Sequence, residues 1–546
     1  MRLFDIQLDR RDQWAAIFLF FLVVVCGLSQ VVFGICGVYH DDGIYISTAK
    51  ALAEGDGYRL INLPDSPFQT KYPILYPAVL AVIWKLGPSF PANIMIMQFL
   101  NILIGGASLA ICYLYLVKFT YFDRKIAFVA MLFCAFSHSF LYFSTVILSE
   151  ILFLFLTVSM LWYFEIVIEK YPAKPIIVFF TGVLITFPFL CRTIGIVYIP
   201  VALLIWYTRK YPLRWIVIGI LSVLLPYLLY VTIFYNESGN PGVIYYTNYG
   251  RWWMSYLIGN ASFIAQFNIL MIPISLLMIG MEGIFRPVIA QHGYFAILFF
   301  LLGVVPFVDI ILYNRRGILR YFVIAYLAMI LFWPWPPSRF IVPVAPLLFA
   351  YLLNAFQYHG VKLLPAVIYR ITAISIITII LSTNAALLYQ HYDQQQLSRY
   401  PRGIITASEQ VVKWSSYENI FQWIRAHSST NDVIACGLDS MVYLYTDRRA
   451  FRPFIANPIS LFYGGSDPPL GSIEDFMGLI KLYYPKYLVE VPLPEFAEDK
   501  HFNALVKKVQ TEYPDLLIPK YTGDDNRFII YEIRQELFNN ENAGRT

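Results

Sequence analysis

Residues 14–43 read WAAIFLFFLVVVCGLSQVVFGICGVYHDDG, an apolar run that stops at two adjacent aspartates. The apolar part, Trp14 to Val38, is longer than the roughly 20 helical residues that cross a hydrocarbon core about 30 Å thick. It also exceeds the roughly 7 to 15 apolar residues of a signal peptide and does not end in an A-x-A-like cleavage site. We therefore predict a retained transmembrane helix, followed by Asp41 and Asp42 at the membrane surface.

Similar apolar runs recur along the chain and set its class. Of the 546 residues, 58% are hydrophobic and 14% are charged, whereas roughly 25% of the residues of a soluble globular chain are charged. The net charge of +5 is small, and no long Lys/Arg run occurs, which argues against nucleic acid as a partner. None of the six cysteines forms a C-x-x-C pair, which disfavours thiol metal sites and a disulfide framework. The composition predicts a polytopic α-helical membrane protein.

The apolar runs predict about eleven transmembrane helices in a domain of residues 1–390. After the first helix, the spans lie at about 92–118, 125–143, 146–168, 175–190, 194–208, 214–235, 295–313, 318–335, 339–357 and 363–390. The first external loop covers residues 39–91. Its part 39–72 is too polar to lie unsatisfied in lipid. Its part 73–86 is short and carries two prolines, which favours a helix along the membrane surface over a span.

The basic residues of the short loops predict the orientation, because Lys and Arg are retained on the cytoplasmic side. With the N-terminus inside, four basic clusters fall in the cytoplasm and the first loop falls outside. These clusters are Arg10/Arg11, Lys118/Arg124/Lys125, Lys170/Lys174 and Arg209/Lys210/Arg214. A span over the apolar residues 264–284 would place Arg315, Arg316 and Arg320 outside. We therefore assign 264–284 to a surface or re-entrant helix.

From His391 onward the composition is that of a soluble domain, residues 391–546. Helical patterns near 417–427, 471–484 and 494–513 alternate with strand-like runs at 432–435, 487–491 and 527–533. Such alternation predicts a small α/β domain. An odd number of spans puts this domain on the same side as Asp41 and Asp42. We expect a multi-pass protein of a bacterial inner membrane with a periplasmic C-terminal domain.

The acidic pair in His40-Asp41-Asp42-Gly43 is the first candidate for chemistry. Like charges this close tend to push one carboxyl pKa upward, and a raised carboxyl pKa suits a general acid or base near neutral pH. The alternative is that the pair marks the water boundary or caps the following helix, 44–54, where an anion at the N-terminus is stabilised.

Further short motifs follow the acidic pair in a distinctive order. The same loop carries Tyr45, Tyr58 and KYPILYP at 71–77, and later stretches are Ser149-Glu150, Cys191-Arg192-Thr193, SRFIVPVAP at 338–346, FQWIR at 421–425 and YLYTDRR at 443–449. In these motifs and their order the sequence resembles the polyprenyl-phosphate-sugar glycosyltransferases of the C-type membrane fold. That group includes protein O-mannosyltransferases and lipid A aminoarabinose transferases. Ile74 departs from the K-Y-P-P-x-Y-P-like segment of that family.

The resemblance implies a glycosyltransferase C fold and an inverting transfer of a hexose or pentose. The donor would be an undecaprenyl- or dolichyl-phosphate sugar, and the acceptor a glycan, lipid or protein hydroxyl on the exoplasmic face. Asp41 matches the catalytic aspartate of the family, which acts as general base. Asp42 takes a supporting role in positioning the acceptor or the sugar, and the two roles could also be reversed.

Three cations are assigned to the donor phosphate, since fixed positive charge gains in value as the bond to the phosphate breaks. They are Lys71, Arg192 and Arg339, all predicted near the external surface, and the planar fork of arginine suits phosphate oxygens. Interfacial snorkelling or contact with a lipid headgroup is the alternative for each of them. Substrate positioning is assigned to Tyr45, Tyr58, Tyr72 and Glu150. Glu150 could instead pair with a basic group for structure.

Other features stay outside the predicted site. His138 is interpreted as a core histidine, and the aromatic stretch Tyr245–Trp253 as an interfacial loop, with stacking on a sugar as its alternative. No metal ligand is assigned and no cofactor is required, although a divalent metal is compatible with the site. The sequence contains no P-loop, G-x-G-x-x-G, H-E-x-x-H or G-x-S-x-G motif.

The second hypothesis is a transporter or flippase for a lipid or glycan, without covalent chemistry. A secondary transporter builds its site at mid-membrane from repeated halves with broken helices. In this sequence the ionisable residues cluster at one predicted surface, no internal repeat is visible, and an external domain is appended. These features favour the enzyme.

Overall fold

A computed structural model describes residues 8–234, 248–291, 295–312, 317–363, 365–397, 403–405, 411–493, 498–523 and 526–536. The chain divides into two compact units, each assembled from separate stretches. The helical unit combines Met1–Val31, Ile96–Tyr230 and Ala261–Asp393, and the mixed unit combines Val32–Met95, Val231–Asn260 and Gln394–Thr546. The first loop thus shares a unit with the C-terminal part of the chain. The predicted division of the chain at residues 390 and 391 stays a prediction.

Long apolar helices dominate the described residues. Seven are long and apolar enough to cross a membrane: Arg10–Gln30, Ala92–Phe119, Glu150–Lys170, Arg214–Ile233, Ala261–Gly280, Ser338–Tyr358 and Ala366–Asp393. Shorter apolar helices of 10–17 residues are Leu75–Leu86, Pro175–Cys191, Thr193–Thr208, Ala296–Ile311 and Leu319–Leu331. The prediction of a polytopic α-helical membrane protein is confirmed.

One predicted span is bent. Residues 125–143 were expected to form a single helix, but the structure has Arg124–Ala135 and His138–Thr145, inclined by 64° to each other. The side chain of Ser137 accepts a hydrogen bond from the backbone N–H of Phe140 at 3.1 Å. This N-cap starts the second helix in a new direction.

The beginning of the first helix is fixed by charged contacts. The side chain of Asp9 accepts from the backbone N–H of Arg11, which caps the helix. Asp12 is buried and pairs with Arg124 at 3.1 Å, and it also accepts from the hydroxyl of Tyr113 at 3.0 Å. These contacts join the N-termini of the helices Arg10–Gln30 and Arg124–Ala135.

The segment 264–284 differs from our prediction of a surface or re-entrant helix. The helix Ala261–Gly280 has the length and hydropathy of a span. Its Asn268 is fully buried, and the side-chain amide donates to the carbonyls of Ile330 at 3.1 Å and Trp333 at 3.0 Å. Such satisfied burial of an amide places the helix among its neighbours in the bundle. Length and packing both favour a span, although the basic residues at 315–320 had argued against one.

Three helices in the mixed unit come from outside its C-terminal part. Asp41–Glu54 and Leu75–Leu86 are joined by the polar segment of the first loop, and Tyr249–Leu257 follows later. Leu75–Leu86 buries Tyr76 and Leu80 but exposes Val82 and Leu86. An exposed apolar face of this kind suits a helix that lies along a membrane surface.

The C-terminal part of the mixed unit is a small α/β domain, as predicted. Strands β1 (Gly403–Ile405) and β2 (Val411–Lys413) form an antiparallel pair. A five-stranded sheet has the order β4-β3-β5-β7-β6, with β3 Ile434–Cys436, β4 Ala450–Phe451, β5 Tyr487–Glu490, β6 Leu517–Thr522 and β7 Ile529–Ile533. Strand β3 is parallel to β4 and β5, whereas β7 is antiparallel to β5 and β6. The accompanying helices are Trp414–His427, Asp439–Thr446, Pro458–Phe462, Ile473–Tyr483 and Glu498–Glu512.

Candidate active site

The acidic pair opens the helix Asp41–Glu54, and its two carboxylates meet different surroundings. Asp42 is 2% exposed, and its two oxygens accept backbone N–H bonds from Gly37 at 2.6 Å and Tyr39 at 3.1 Å. Burial raises the pKa of Asp42 to about 7, although these backbone N–H groups act in the opposite direction. The observed contacts of Asp42 thus hold the turn that enters the helix.

Asp41 is partly exposed and takes part in a side-chain network. The hydroxyl of Tyr72 donates to the carboxylate of Asp41. The ammonium group of Lys71 donates to the same hydroxyl at 2.6 Å. Tyr72 therefore connects a cation with the carboxylate, and it brings together three residues that the sequence assigned to the site.

The segment that carries Lys71 and Tyr72 is fixed from several sides. The side chain of Gln69 accepts from the backbone N–H of Lys71 at 2.9 Å. The hydroxyl of Tyr58 donates to the carbonyl of Tyr72 at 2.9 Å. The ring of Tyr45 packs edge-on against that of Tyr72, with 5.0 Å between the centroids. Tyr45 and Tyr58, both predicted to position substrate, thus hold the Lys71–Tyr72 segment in place.

Lys71 lies in an aromatic environment. Its side chain is buried, and the ammonium nitrogen lies 4.1 Å from the ring centroid of Tyr72 and 5.7 Å from that of Tyr249. The electron-rich face of an aromatic ring attracts a cation. Tyr249 belongs to the aromatic stretch Tyr245–Trp253, of which residues 245–247 lie outside the described part of the chain. One member of that stretch therefore contributes to the surroundings of Lys71.

Two arginines and a glutamate form a second cluster, in the helical unit. Glu150 is fully buried, and its Oε1 pairs with Arg192 at 2.7 Å and also with Arg339. Arg192 donates in addition to the hydroxyl of Ser149 at 3.0 Å. The cluster brings together residues from three predicted helix ends and carries one net positive charge. The Glu150 side chain thus orients both guanidinium groups.

Lys71 and the arginines belong to different compact units. The convergence of the three cations on one phosphate therefore stays a prediction. From the sequence, Glu150 was assigned to substrate positioning, with structural pairing to a basic group as the alternative. In the structure its contacts are ion pairs with Arg192 and Arg339, as in that alternative. Arg192 has a side chain 11% exposed, against 31% for Arg339. The more accessible side chain is that of Arg339.

Several polar groups near the acidic pair were not predicted from the sequence. His40 is buried, and its Nε2 bonds to Asp439 at 2.9 Å. The other oxygen of Asp439 accepts from the side chain of Asn62 at 2.9 Å. Burial lowers the pKa of His40, and the positive charge of Arg452 acts in the same direction. The sequence offered only one weak indication of this role for Asp439. It closely follows strand β3, and functional residues of parallel sheets gather at the carboxyl ends of the strands.

A second ion pair was also missed. Arg452 lies 3.8 Å from the buried carboxylate of Glu498 and donates to the carbonyl of Gly437 at 2.9 Å. Burial raises the pKa of Glu498. The positive charge of Arg452 acts to lower this pKa, and the negative charge of Asp41 acts to raise it. These groups contribute to the electrostatic surroundings of the acidic pair.

The side chains around the acidic pair are held by contacts within the protein. Within the described ranges, no group of three or more His, Cys, Asp and Glu side chains is placed to hold a metal. Asp42 is occupied by backbone N–H groups, and His40 bonds to Asp439. A site for Mg²⁺ or Ca²⁺ would require several converging oxygen ligands.

No family model matches the sequence, and a search of curated proteins gives no match. Solved structures do match. ArnT from Cupriavidus metallidurans, solved with undecaprenyl phosphate, is similar over 96% of this chain and 98% of its own, with a TM-score of 0.52 and 12% identity. The Archaeoglobus fulgidus oligosaccharyltransferase, solved with Zn and sulfate, is similar over 96% of this chain and 73% of its own, with a TM-score of 0.54 and 14% identity. The chain has the glycosyltransferase C fold.

A third structure extends the comparison. AglB from Archaeoglobus fulgidus, an archaeal oligosaccharyltransferase solved with an inhibitory peptide and a dolichol-phosphate, is similar over 96% of this chain and 75% of its own. Its TM-score is 0.52 and its identity 11%. The resemblance stated from the sequence motifs is confirmed at the level of the glycosyltransferase C fold. The roles of individual residues stay predictions.

Proposed function

We propose that the chain is a glycosyltransferase that moves a sugar from a polyprenyl-phosphate carrier to an acceptor, with Asp41 as general base. The observation that carries the proposal is the network of Asp41, Tyr72 and Lys71 in the mixed unit. It presents a partly exposed carboxylate beside a buried cation, in a chain with the glycosyltransferase C fold.

In the proposed reaction, a hydroxyl of the acceptor attacks the anomeric carbon of the sugar. The bond between that carbon and the phosphate oxygen breaks, the electron pair stays on the phosphate, and the anomeric configuration inverts. The hydroxyl proton passes to the carboxylate of Asp41. Tyr72 donates to this carboxylate and fixes its direction, since its own hydroxyl accepts from Lys71. Asp42 supports the reaction by holding the turn before the helix.

The proposed reaction assigns Arg192 and Arg339 to the leaving phosphate. Preoriented cations stabilise charge that develops as the bond breaks, particularly where water is scarce. The carboxylate of Glu150 pairs with both guanidinium groups and reduces the repulsion between their like charges. The side chain of Arg339 is 31% exposed, so it is not enclosed by the protein on every side.

The proposal also places the reaction on the exoplasmic face of the membrane, with the N-terminus in the cytoplasm. The four basic clusters between Arg10 and Arg214 support this orientation of the first half of the chain. The C-terminal residues belong to the same compact unit as the first loop, which supports one side for both. The neighbours solved with undecaprenyl phosphate and with a dolichol-phosphate support a lipid-linked donor. In a bacterium, the membrane would be the inner membrane and the acceptor would meet the enzyme in the periplasm.

The test uses the full-length chain reconstituted in liposomes with a panel of undecaprenyl- and dolichyl-phosphate hexoses and pentoses. Membrane extract supplies the acceptors, and release of free polyprenyl phosphate is measured together with transfer of labelled sugar. We expect Asp41→Asn to lower transfer by about a hundredfold or more, as is typical for loss of a general base. Asp65→Asn, at an exposed position of the same loop, is the control and should keep full activity.

Two results would reject the proposal. The first is full activity of the Asp41→Asn variant in the reconstituted assay. The second is counter-flow of a labelled lipid or glycan without any covalent product, which would favour a transporter.

A further inference from the structure

The turn that leads to Asp41 lies directly against the C-terminal helix Asp439–Thr446, although the two are about 400 positions apart in the chain. A Cβ atom at Gly37 would lie 2.6 Å from the Cβ of Met441, and one at Gly43 would overlap the side chain of Ser440. Real side chains do not approach that closely. Glycine at both positions therefore permits the contact between the turn and the helix.

The same helix binds His40, the residue before Asp41. The imidazole Nε2 bonds to Asp439 at 2.9 Å, and the second oxygen of Asp439 accepts from Asn62 at 2.9 Å. The hydrogen bond of His40 joins the imidazole directly to the Asp439 carboxyl group. All three side chains are buried. The hydroxyl of Ser440 also donates to the carbonyl of His40 at 3.3 Å.

The backbone of His40 needs this support. Its φ is 58° and its ψ is −58°, a combination that residues with a Cβ rarely adopt. Such a conformation costs about 1–3 kcal/mol and persists when the surroundings hold it in place. Because His40 is the N-cap of the helix that begins at Asp41, its conformation sets the direction in which that helix and the Asp41 side chain leave the turn.

We propose that Asp439 is a positioning residue for the general base: it binds His40 and thereby fixes the backbone that directs the Asp41 carboxylate. This inference rests on the proposed function of Asp41. It gives the C-terminal domain a part in catalysis, since the scaffold of the acidic pair is incomplete without the helix Asp439–Thr446. Asp439 acts through His40 and does not touch the reacting atoms.

The proposal differs from a merely stabilising role in what it predicts for kinetics. Loss of a positioning residue lowers kcat and leaves the KM for the donor nearly unchanged, because the interaction matters most in the transition state. It also predicts that His40 and Asp439 act as one unit, so that the second substitution adds little to the first. General destabilisation produces neither pattern.

The experiment uses the full-length chain in liposomes, with the donor of the panel above that gives turnover. The variants are Asp439→Ala, His40→Ala, the double variant and His40→Gln, whose amide can replace the imidazole Nε2 in the bond to Asp439. The control is Asp432→Ala in the same domain, which loses an ion pair of 3.0 Å with Lys486. Hydrogen–deuterium exchange of the peptide over residues 36–48 is measured in parallel, because it needs no substrate.

We expect Asp439→Ala and His40→Ala each to lower kcat by about tenfold, with the KM for the donor within about twofold. The double variant should be no slower than the slower single variant, and His40→Gln should recover most of the activity. Exchange over 36–48 should rise in Asp439→Ala but not in Asp432→Ala. If the two single effects multiply in the double variant, or if the exchange of this peptide is unchanged in Asp439→Ala, the inference is wrong.

The two proposals fail in different ways. If no donor of the panel gives transfer with the wild-type chain, the proposed function fails, whereas the exchange measurement still decides whether Asp439 fixes the turn. If Asp439→Ala does not accumulate in membranes, the comparison of His40→Ala with His40→Gln decides whether the bond to Asp439 positions Asp41. Equal activity of the two His40 variants would then show that the inference is wrong.

Discussion

The hydroxyl of Tyr72 lies between a cation and a carboxylate, and this position makes it a useful residue to remove. Tyr72→Phe keeps the ring against Tyr45 but loses the bonds to Lys71 and Asp41. Hydrogen bonds to charged groups contribute about 1.5–3 kcal/mol. We expect kcat to fall by about tenfold to a hundredfold, because the Asp41 carboxylate loses the donor that fixes its direction, and we expect some loss of stability as well.

A matched control separates this effect from the loss of any tyrosine hydroxyl. Tyr487 donates to the carbonyl of His427 at 3.1 Å within the C-terminal domain. Tyr487→Phe should lose a similar fraction of stability and keep the transfer rate. Equal kcat for Tyr72→Phe and the wild-type chain would contradict the role given to Tyr72.

The raised pKa of Asp42 predicts how the stability of the chain depends on pH. Burial raises the pKa of Asp42 from its ordinary value of 3.8 to about 7. Between these two pH values the folded chain holds a proton that the unfolded chain has released. The free energy of unfolding contributed by this group therefore falls as the pH rises through that window, by up to about 1.4 kcal/mol per pH unit.

The prediction is tested by comparing the wild-type chain with Asp42→Asn in detergent micelles. Denaturation midpoints of both chains are measured from pH 4 to pH 8. As the pH rises, the midpoint of Asp42→Asn should increase relative to that of the wild-type chain. The exposed Asp65→Asn should follow the wild-type curve. Parallel curves for Asp42→Asn and the wild-type chain would show that folding does not raise the pKa of Asp42.

The candidate residues were predicted from the sequence with uneven success. Asp41, Lys71 and Tyr72 could be proposed together, because they occur within one short polar loop between apolar segments. That Tyr72 connects the other two could not be proposed, since spacing does not give side-chain direction. The bond between His40 and Asp439 was not predictable, because 399 positions separate the two residues and neither pattern alone is unusual.

At the scale of elements, the carboxylate of Glu150 connects residues at the ends of three helices. Glu150 begins the helix Glu150–Lys170, Arg192 follows Pro175–Cys191, and Arg339 lies at the start of Ser338–Tyr358. Glu150→Gln leaves two guanidinium groups beside a neutral amide, and breaking a buried pair costs about 3–5 kcal/mol. Arg339→Gln leaves the pair of Glu150 and Arg192 intact and should destabilise the chain far less.

The same two variants should separate in activity. Arg339→Gln should raise the KM for the donor by about tenfold, because a charge-assisted bond to phosphate is lost. Lys125→Gln, at an exposed position of a predicted cytoplasmic cluster, is the control. Thermal unfolding and donor titrations of the purified variants check both statements. If Glu150→Gln proves the more stable of the two variants, the orienting role of Glu150 is wrong.

Apolar length predicted most of the helices, and its failures have physical causes. The bend between Ala135 and His138 follows from the N-cap at Ser137, a local signal that the apolar pattern around it obscured. For the helix Ala261–Gly280 apolar length indicated a span, and only the charge rule led to the surface or re-entrant assignment. Its buried Asn268 finds carbonyl partners inside the bundle, which no sequence pattern shows.

At the scale of the whole molecule, the orientation in the membrane can be tested directly. We expect a membrane-impermeant maleimide to label Glu512→Cys on intact cells and to leave Lys125→Cys unlabelled until the membrane is opened. Both positions are exposed, and the native cysteines are buried or partly buried. Labelling of Lys125→Cys on intact cells would reverse the proposed orientation.

The grouping of the first loop with the C-terminal residues in one compact unit was beyond sequence analysis. The composition correctly predicted a helical membrane part and an α/β domain, since each has its own pattern of apolar residues. Contacts between stretches so far apart in the chain arise from shape, as at Gly37 and Gly43, where small residues admit the C-terminal helix. A glycine in one sequence segment does not reveal which distant segment it accommodates.

The single carboxylate shared by Arg192 and Arg339 has a consequence for turnover. A sugar donor with a phosphodiester carries one negative charge, which the one net positive charge of the cluster balances. The spent carrier is a phosphomonoester with a charge of about −1.5 to −2 at neutral pH, and two arginines without Glu150 would match that product better than the donor. Under the proposed reaction, Glu150 therefore protects the enzyme from inhibition by its own product and lets the empty carrier depart.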